Sequence, residues 1–218
     1  MPDVVQFVRQ LSHDLRNHVN AAELQSAYLK EIAEDPEVKD EIQRLRGMLA
    51  EFGTSLQKLT TALAPAKLTQ MEYEAAAFLE DLQQKVGSTL PENSSEIAWE
   101  VNVATAALNI DPQILQQALL ELIANAFQHE RGTGPIRVEA RANGQLTVSI
   151  IEPKGSFAAS TERWGREPFR KVKHGHYGLG LHRARNIIEA HGGRLEARYD
   201  AGSSLLTTTI VLPLAGKS

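Results

Sequence analysis

Six residues near the start of this 218-residue chain have the types and spacing for nucleophilic or proton chemistry: Ser12-His13-Asp14-Leu15-Arg16-Asn17. At about 100° per residue, a helix here lines Val4, Val8, Leu11, Leu15 and Ala22 along one apolar face and sets His13 almost opposite. Asn17 follows one turn later on nearly the same side, and Asp14 reaches the imidazole laterally. An imidazole becomes nucleophilic through one ring nitrogen when a neighbour holds the proton on the other. A lone helical histidine is more often only solvated, so its meaning depends on what accompanies it.

Two other constellations accompany it. Glu121 and Asn125 are four residues apart and share a helix face, with Gln128 and His129 one turn further. Such an oxygen-rich face suits a magnesium ion that takes a few protein oxygens and completes its shell with water and phosphate. Asn125 also interrupts an apolar run from Leu119 to Phe127, which is unusual for an ordinary solvated face. The second is Gly175-His176-Tyr177-Gly178-Leu179-Gly180-Leu181, leading into a helix that closes at His191-Gly192-Gly193. Glycines let backbone approach a phosphate chain, and free amides at a helix start supply an anion site. No Gly-Lys-Ser/Thr follows, and the strand and acidic partner of a dinucleotide fingerprint are missing.

The elements that must position these residues are legible from periodicity. Val38, Ile42, Leu45, Leu49, Phe52, Leu56, Leu59 and Leu63 alternate spacings of four and three, a coiled-coil-like seam. Asp35 and Pro36 cap its start, and the short turn makes the two helices antiparallel neighbours. Two helices with such stripes cannot fully bury them against each other, which predicts a homodimer with a four-helix bundle. Ala64-Pro65-Ala66-Lys67 stops the second helix and divides the chain into domains 1–66 and 67–218. Beyond it, helices are expected at 74–86, 112–128 and 180–190, and strands at 97–103, 136–142, 146–151, 195–199 and 205–212. Asp111 caps the second of those helices, and Asn143-Gly144 marks a hairpin. The fold class is α+β: a helical hairpin, then a two-layer α/β sandwich with a mixed, mostly antiparallel sheet.

Composition narrows the function. A net charge of −4 offers no basic field for nucleic acid, and the absence of cysteine excludes disulfides, thiol catalysis and Cys-ligated zinc. No apolar run reaches the ~20 residues of a spanning helix, so a cytoplasmic protein without direct membrane insertion is expected. His18 falls on the apolar stripe and is expected in the packed core, while His174, His176 and His182 lack metal-site spacing. Trp164 and Phe169 are expected to anchor the segment between the two glycine regions.

Together these stretches resemble the catalytic core of bacterial two-component sensor histidine kinases, over nearly the whole chain. Leu11-Ser12-His13-Asp14-Leu15-Arg16-Asn17 is similar to the family's phosphoacceptor box, and Glu121-Leu122-Ile123-Ala124-Asn125-Ala126 to its N box. Glu167-Pro168-Phe169 is similar to the F box, and Gly178-Leu179-Gly180-Leu181 through His191-Gly192-Gly193 to the second glycine box. The resemblance implies a dimerization and histidine-phosphotransfer hairpin followed by a Bergerat-type ATPase domain of the histidine kinase/gyrase class. It implies ATP held by Glu121, Asn125, His129, Glu152, Gly155, Gly178, Leu179 and Gly180, and magnesium held by Asn125 and Glu121. His13 is then the acceptor, assisted by Asp14, with Asn17 orienting a water for dephosphorylation of a response-regulator receiver domain, the implied partner.

The chain departs from the family at its first glycine box. In place of Asp-x-Gly-x-Gly stands Ile151-Glu152-Pro153-Lys154-Gly155-Ser156. Glu152 offers a carboxylate of longer reach, Pro153 stiffens the loop, and Lys154 stands where glycine is expected. Gln128 replaces a lysine common among relatives, with His129 or Lys154 as alternative charges. Two main readings follow: autophosphorylation of His13 from ATP, or an ATP-independent histidine phosphotransferase relaying phosphate between receiver domains. A phosphatase-dominant regulator and a purely structural dimerization protein are further alternatives, and the last leaves His13 and Asn17 unexplained.

Overall fold

The structure is a computed structural model describing residues 2–103, 105–128, 130–157, 160–166 and 178–216. It contains two compact units, Met1–Ala64 and Pro65–Ser218.

The first unit is a hairpin of α1 (Pro2–Ile32) and α2 (Pro36–Leu63). Asp35 caps α2 by accepting from the Glu37 amide at 2.8 Å, with Pro36 in the first turn. Small residues bring the helices close: among the described residues of α1, Ser12, Val19 and Ser26 are the buried ones, and Val19 Cγ1 lies against Gly53 of α2. The buried hydroxyls are satisfied within their own helix, Ser12 Oγ donating to the Val8 carbonyl and Ser26 Oγ to that of Glu23. This contact line differs from the stripe expected from sequence. Leu11, His18 and Ala22 lie on its flank and are exposed, so His18 is not a core residue within the hairpin.

The apolar seam of α2 divides in two. Leu56 and Leu63 are buried, and Ile42 and Leu49, in heptad register with them, are half-buried. Of the alternate set, Val38, Leu45 and Phe52 are exposed and Leu59 is half-buried; Met48 and, on α1, Phe7, Leu24, Tyr28 and Ile32 are exposed as well.

The second unit contains β1 (Met71–Glu74), α3 (Ala75–Thr89), α4 (Pro91–Ser94), β2 (Ile97–Asn102), β3 (Ala107–Ile110) and α5 (Pro112–Gln128). These are followed by β4 (Ile136–Ala142), β5 (Gln145–Pro153), α6 (Gly180–Ala190), β6 (Arg194–Asp200) and β7 (Leu205–Pro213). Five strands form one sheet in the order β2-β4-β5-β7-β6, with β2 parallel to β4 and the remaining pairs antiparallel. Period-two alternation turns Leu146, Val148 and Ile150 of β5 and Ile136, Val138 and Ala140 of β4 into the core. There they meet Phe78, Leu79 and Leu82 of α3, Leu119 and Ile123 of α5, and Ile188 of α6. The result is a two-layer α/β sandwich, as the pattern of helices and hairpin strands requires.

Sequence patterning did not reveal the short strands β1 and β3, which pair as a separate ribbon, nor the single turn α4 where a loop was expected. The ribbon ends at buried Asp111. Its Oδ1 accepts from the Ile114 amide, capping α5, and its Oδ2 accepts from the Thr69 amide of the connecting segment. Burial pushes this carboxyl up, but the amide donors and nearby His191 outweigh that and hold it below the ordinary aspartate range. The Asp111 amide donates to buried His191 Nε2 at 3.1 Å, and His191 Nδ1 donates to the Ile187 carbonyl, so the end of α6 is tied to the start of α5.

Packing makes two glycines opposite in character. A Cβ on Gly193 would meet the Val211 carbonyl at 2.6 Å and the Ile188 carbonyl at 3.0 Å, whereas one on Gly87 in α3 meets nothing within 4 Å. Gly193→Ala is therefore expected to cost about 1–3 kcal/mol in urea unfolding, and Gly87→Ala to gain up to about 1 kcal/mol.

Candidate active site

His13 is exposed on α1, as expected. Its Nδ1 lies 3.4 Å from Asp14 Oδ1 and 3.5 Å from Asn17 Nδ2, while Gln10 Nε2 donates to Asp14 Oδ1 at 3.0 Å. Both imidazole contacts fall on Nδ1, and among the described residues Nε2 meets no hydrogen-bond partner. When Nδ1–H donates to Asp14, the lone pair on Nε2 faces outward, available to an electrophile.

In the second unit, α5 brings the other residues together. Its buried side anchors the core, while Glu121 is exposed and Asn125 half-buried on the same face. Glu121 packs directly against Gly180, the first residue of α6, in space that a Cβ there would occupy. Gly178, with φ of +64°, turns the chain into that helix start, followed by buried Leu179. Glu121 and the Gly178-Leu179-Gly180 turn thus lie side by side, and Arg183 adds a bond to Gln117 of α5.

The far end of α5 meets the departed glycine box. Gly132 donates its amide to the Pro153 carbonyl at 2.8 Å, Gly155 to the Glu130 carbonyl at 2.9 Å, and Lys154 to the Ser204 carbonyl at 2.9 Å. Arg131 pairs with Glu96 and lies over the Phe127 ring. These bonds pin the loop on both sides. Glu152, on the core-facing side of β5, and Lys154 are both buried, with Lys154 Nζ 2.7 Å from Glu152 Oε2. Burial pushes the Glu152 carboxyl up to about 7, with Lys154 offsetting part of that rise. From Glu121 to the end of α5 is about 10 Å along the axis, at ~1.5 Å per residue.

Sequence reasoning did not single out Glu130, Arg131 and Gly132, whose Gly-Thr-Gly context reads as an ordinary turn. It also missed Arg185, which patterning on an amphipathic helix assigns to the surface. Arg185 is buried and donates to the Trp164 and Leu195 carbonyls and to Glu189, fixing segment 160–166 on α6. His182 Nδ1 lies 3.1 Å from the Gly165 carbonyl, and Phe157 packs between Trp164 and Tyr199. His129, His174, His176, Glu167-Pro168-Phe169 and the start of the second glycine region lie outside the described residues.

A mixed sheet covered on one face by three helices, with a glycine turn set against an Asn/Glu helix, defines a nucleotide-binding α/β sandwich. Residues 110–216, within the second unit, match the model of the histidine kinase-, DNA gyrase B- and HSP90-like ATPase family. With the helical hairpin before it, the chain has the architecture of a sensor histidine kinase catalytic core. It is 27% identical to the alginate biosynthesis sensor protein KinB of Pseudomonas aeruginosa, over 90% of this chain and 35% of that protein. It is 25% identical to the sensor histidine kinase ZraS of Klebsiella oxytoca, over 95% of this chain and 45% of that protein. The chain thus spans between a third and a half of these relatives' length. The solved structure of full-length ShkA in complex with AMPPNP shares the fold, with a TM-score of 0.65 at 19% identity over 98% of this chain and 46% of that one. Among the described residues no helix is long and apolar enough to cross a membrane.

The Glu152 carboxyl gives the unit a pH signature. Its folded pKa of about 7 lies above the ordinary 4.5, so the native state keeps a proton that the unfolded chain releases between those values. The stability this contributes is complete below pH 4.5 and is lost as pH rises through about 7. Urea unfolding at pH 5 and pH 8 should differ by on the order of 2–3 kcal/mol from this group, and Glu152→Gln should remove that difference.

Proposed function

We propose that this chain is an ATP-dependent protein-histidine kinase that phosphorylates His13 and passes the phosphoryl group to an aspartate of a response-regulator receiver domain. The observation that carries the reading is the side-by-side setting of Glu121 and the Gly178-Gly180 turn in an ATPase-family domain whose chain also presents an outward His13–Asp14 pair. ATP would lie along the polar face of α5, its phosphates toward Gly178, Leu179 and Gly180 and its base toward Glu152 and Gly155; His129, assigned to the same nucleotide, lies outside the described residues. Residues 1–66 act as the dimerization and phosphotransfer domain and residues 67–218 as the nucleotide domain.

Asp14 holds the proton on His13 Nδ1, and Nε2 attacks the γ-phosphorus. A P–N bond forms as the bond to the β,γ-bridging oxygen breaks, and ADP leaves with that electron pair. Asn125 and Glu121 supply oxygens for magnesium. When bound, it neutralises phosphate charge. Asn17, beside the same imidazole, orients a water for the reverse activity, dephosphorylation of the regulator. The exposed set Val38, Leu45, Met48 and Phe52 supports a homodimer, a second copy supplying the missing half of the bundle.

One observation favours a second reading, relay of phosphate through His13 without ATP: the buried Glu152–Lys154 pair where the family carries a glycine-rich loop. Incubation with γ-labelled ATP and magnesium should label the wild type and not His13→Ala. Absence of label across ATP concentrations, with reverse labelling of His13 by a phosphorylated receiver domain, would select the relay. Leu45→Glu with Phe52→Glu should convert a dimer to a monomer in light scattering, and a wild-type monomer would sink the bundle.

A further inference from the structure

We propose that β6 is a self-complementary docking edge, which pairs antiparallel with β6 of a second copy of this chain about a two-fold axis at Ala197. The contact is independent of the nucleotide reading and separate from the hairpin interface.

β6 is the last strand of the five-stranded sheet and pairs with β7. An end strand presents a row of N–H and C=O groups that another strand can pair. Arg185 takes the Leu195 carbonyl near the start of the strand, and Ala197 lies two residues further on. Leu195 belongs to the core under the helices, so period-two alternation turns Leu195, Ala197 and Tyr199 to the helical side. Arg194, Glu196, Arg198 and Asp200 then stand on the open face of the sheet, and all four are exposed. The Arg194–Glu196 contact, 3.5 Å between side chains 58% and 69% exposed, is of the weak solvated kind that another partner readily replaces.

Charge on an end strand ordinarily guards it, because like charges brought opposite each other repel. On β6 the sign alternates instead: plus, minus, plus, minus. Two copies laid antiparallel with Ala197 opposite Ala197 set Arg194 against Asp200 of the second copy and Glu196 against its Arg198, each twice over. On the other face Leu195 meets Tyr199. The charges also select this register, since the neighbouring ones that keep the same faces together centre on Glu196 or Arg198 and oppose like charges, as does a parallel in-register alignment. β2, at the other end of the sheet, lacks this property: its open face carries Ala98, Glu100 and Asn102, and a two-fold about its one charge sets Glu100 against Glu100.

One strand pair falls well below the ~1,200 Å² of a stable interface, so the contact is weak and a covalent trap reads it best. The register brings the two Ala197 Cα atoms to about 4.5–5.5 Å, inside the roughly 4.4–6.8 Å span of a disulfide, and the chain has no cysteine of its own. Under mild oxidation the full chain carrying Ala197→Cys should form a linked dimer roughly tenfold or more faster than one carrying Asn102→Cys on exposed β2. Adding Glu196→Arg, or adding Arg198→Glu, makes two attractive pairs repulsive and should slow the linkage roughly tenfold. The double exchange Glu196→Arg with Arg198→Glu, and equally a mixture of the two single exchanges, restores opposite charges and should return the rate to within about threefold. The mixture contains the same two proteins that fail alone, so its recovery is not a matter of folding. A rate for Ala197→Cys no higher than for Asn102→Cys, insensitivity to the single exchanges, or failure of the mixture to recover overturns the inference.

Discussion

The geometry of this molecule depends on the fact that α5 cannot rotate about its axis. Leu115, Ala118, Leu119, Leu122, Ile123 and Ala126 are buried along one side, and each large aliphatic among them contributes about 1.5–3 kcal/mol by leaving water. A turn of one residue, ~100°, would bury Glu121 and expose part of that set. Core packing therefore aims Glu121 and Asn125, and the chemistry of the site is set by hydrophobic burial on the opposite face. At Gly180 the missing side chain leaves room in which the Glu121 carboxylate lies against the start of α6.

Much of this was legible in the residues themselves. Asp35 and Asp111 read as helix caps because a short acceptor before an apolar-periodic run has little else to satisfy, and Asn143-Gly144 reads as a hairpin because Gly144 can take φ of +68°. The division of the α2 seam was not legible. A seven-residue repeat says which positions are apolar, but not which neighbour each one meets, and here alternate members face differently. For the same reason His18, on the apolar stripe of α1, is exposed in the hairpin, whose contact runs along Ser12, Val19 and Ser26. Small residues that allow close approach carry little hydrophobic signal.

Buried charge was the other blind spot. Lys154 and Arg185 are residue types found on surfaces unless paired, and their partners become neighbours only through the fold. Arg185 finds two carbonyls and Glu189, and Lys154 finds a carboxylate two residues away on a strand end. Where the related kinases are expected to use flexible glycines, this chain uses a proline, a stapled loop and an ion pair. Breaking one partner of such a pair strands the other charge in a dry environment, so Glu152 and Lys154 are tied together more tightly than either is to the rest of the strand.

Asp111 joins two mechanical elements. Through one oxygen it holds the Thr69 amide of the segment that follows the hairpin, and through the other it caps α5. A pull on the chain at that segment acts through the Thr69–Asp111 bond on the first turn of α5. His191, bonded to the Asp111 amide from the end of α6, stands at the same node. Force on the connecting segment is thus shared between the helix that carries Glu121 and Asn125 and the helix that begins at Gly180, and a single buried carboxylate is the fulcrum.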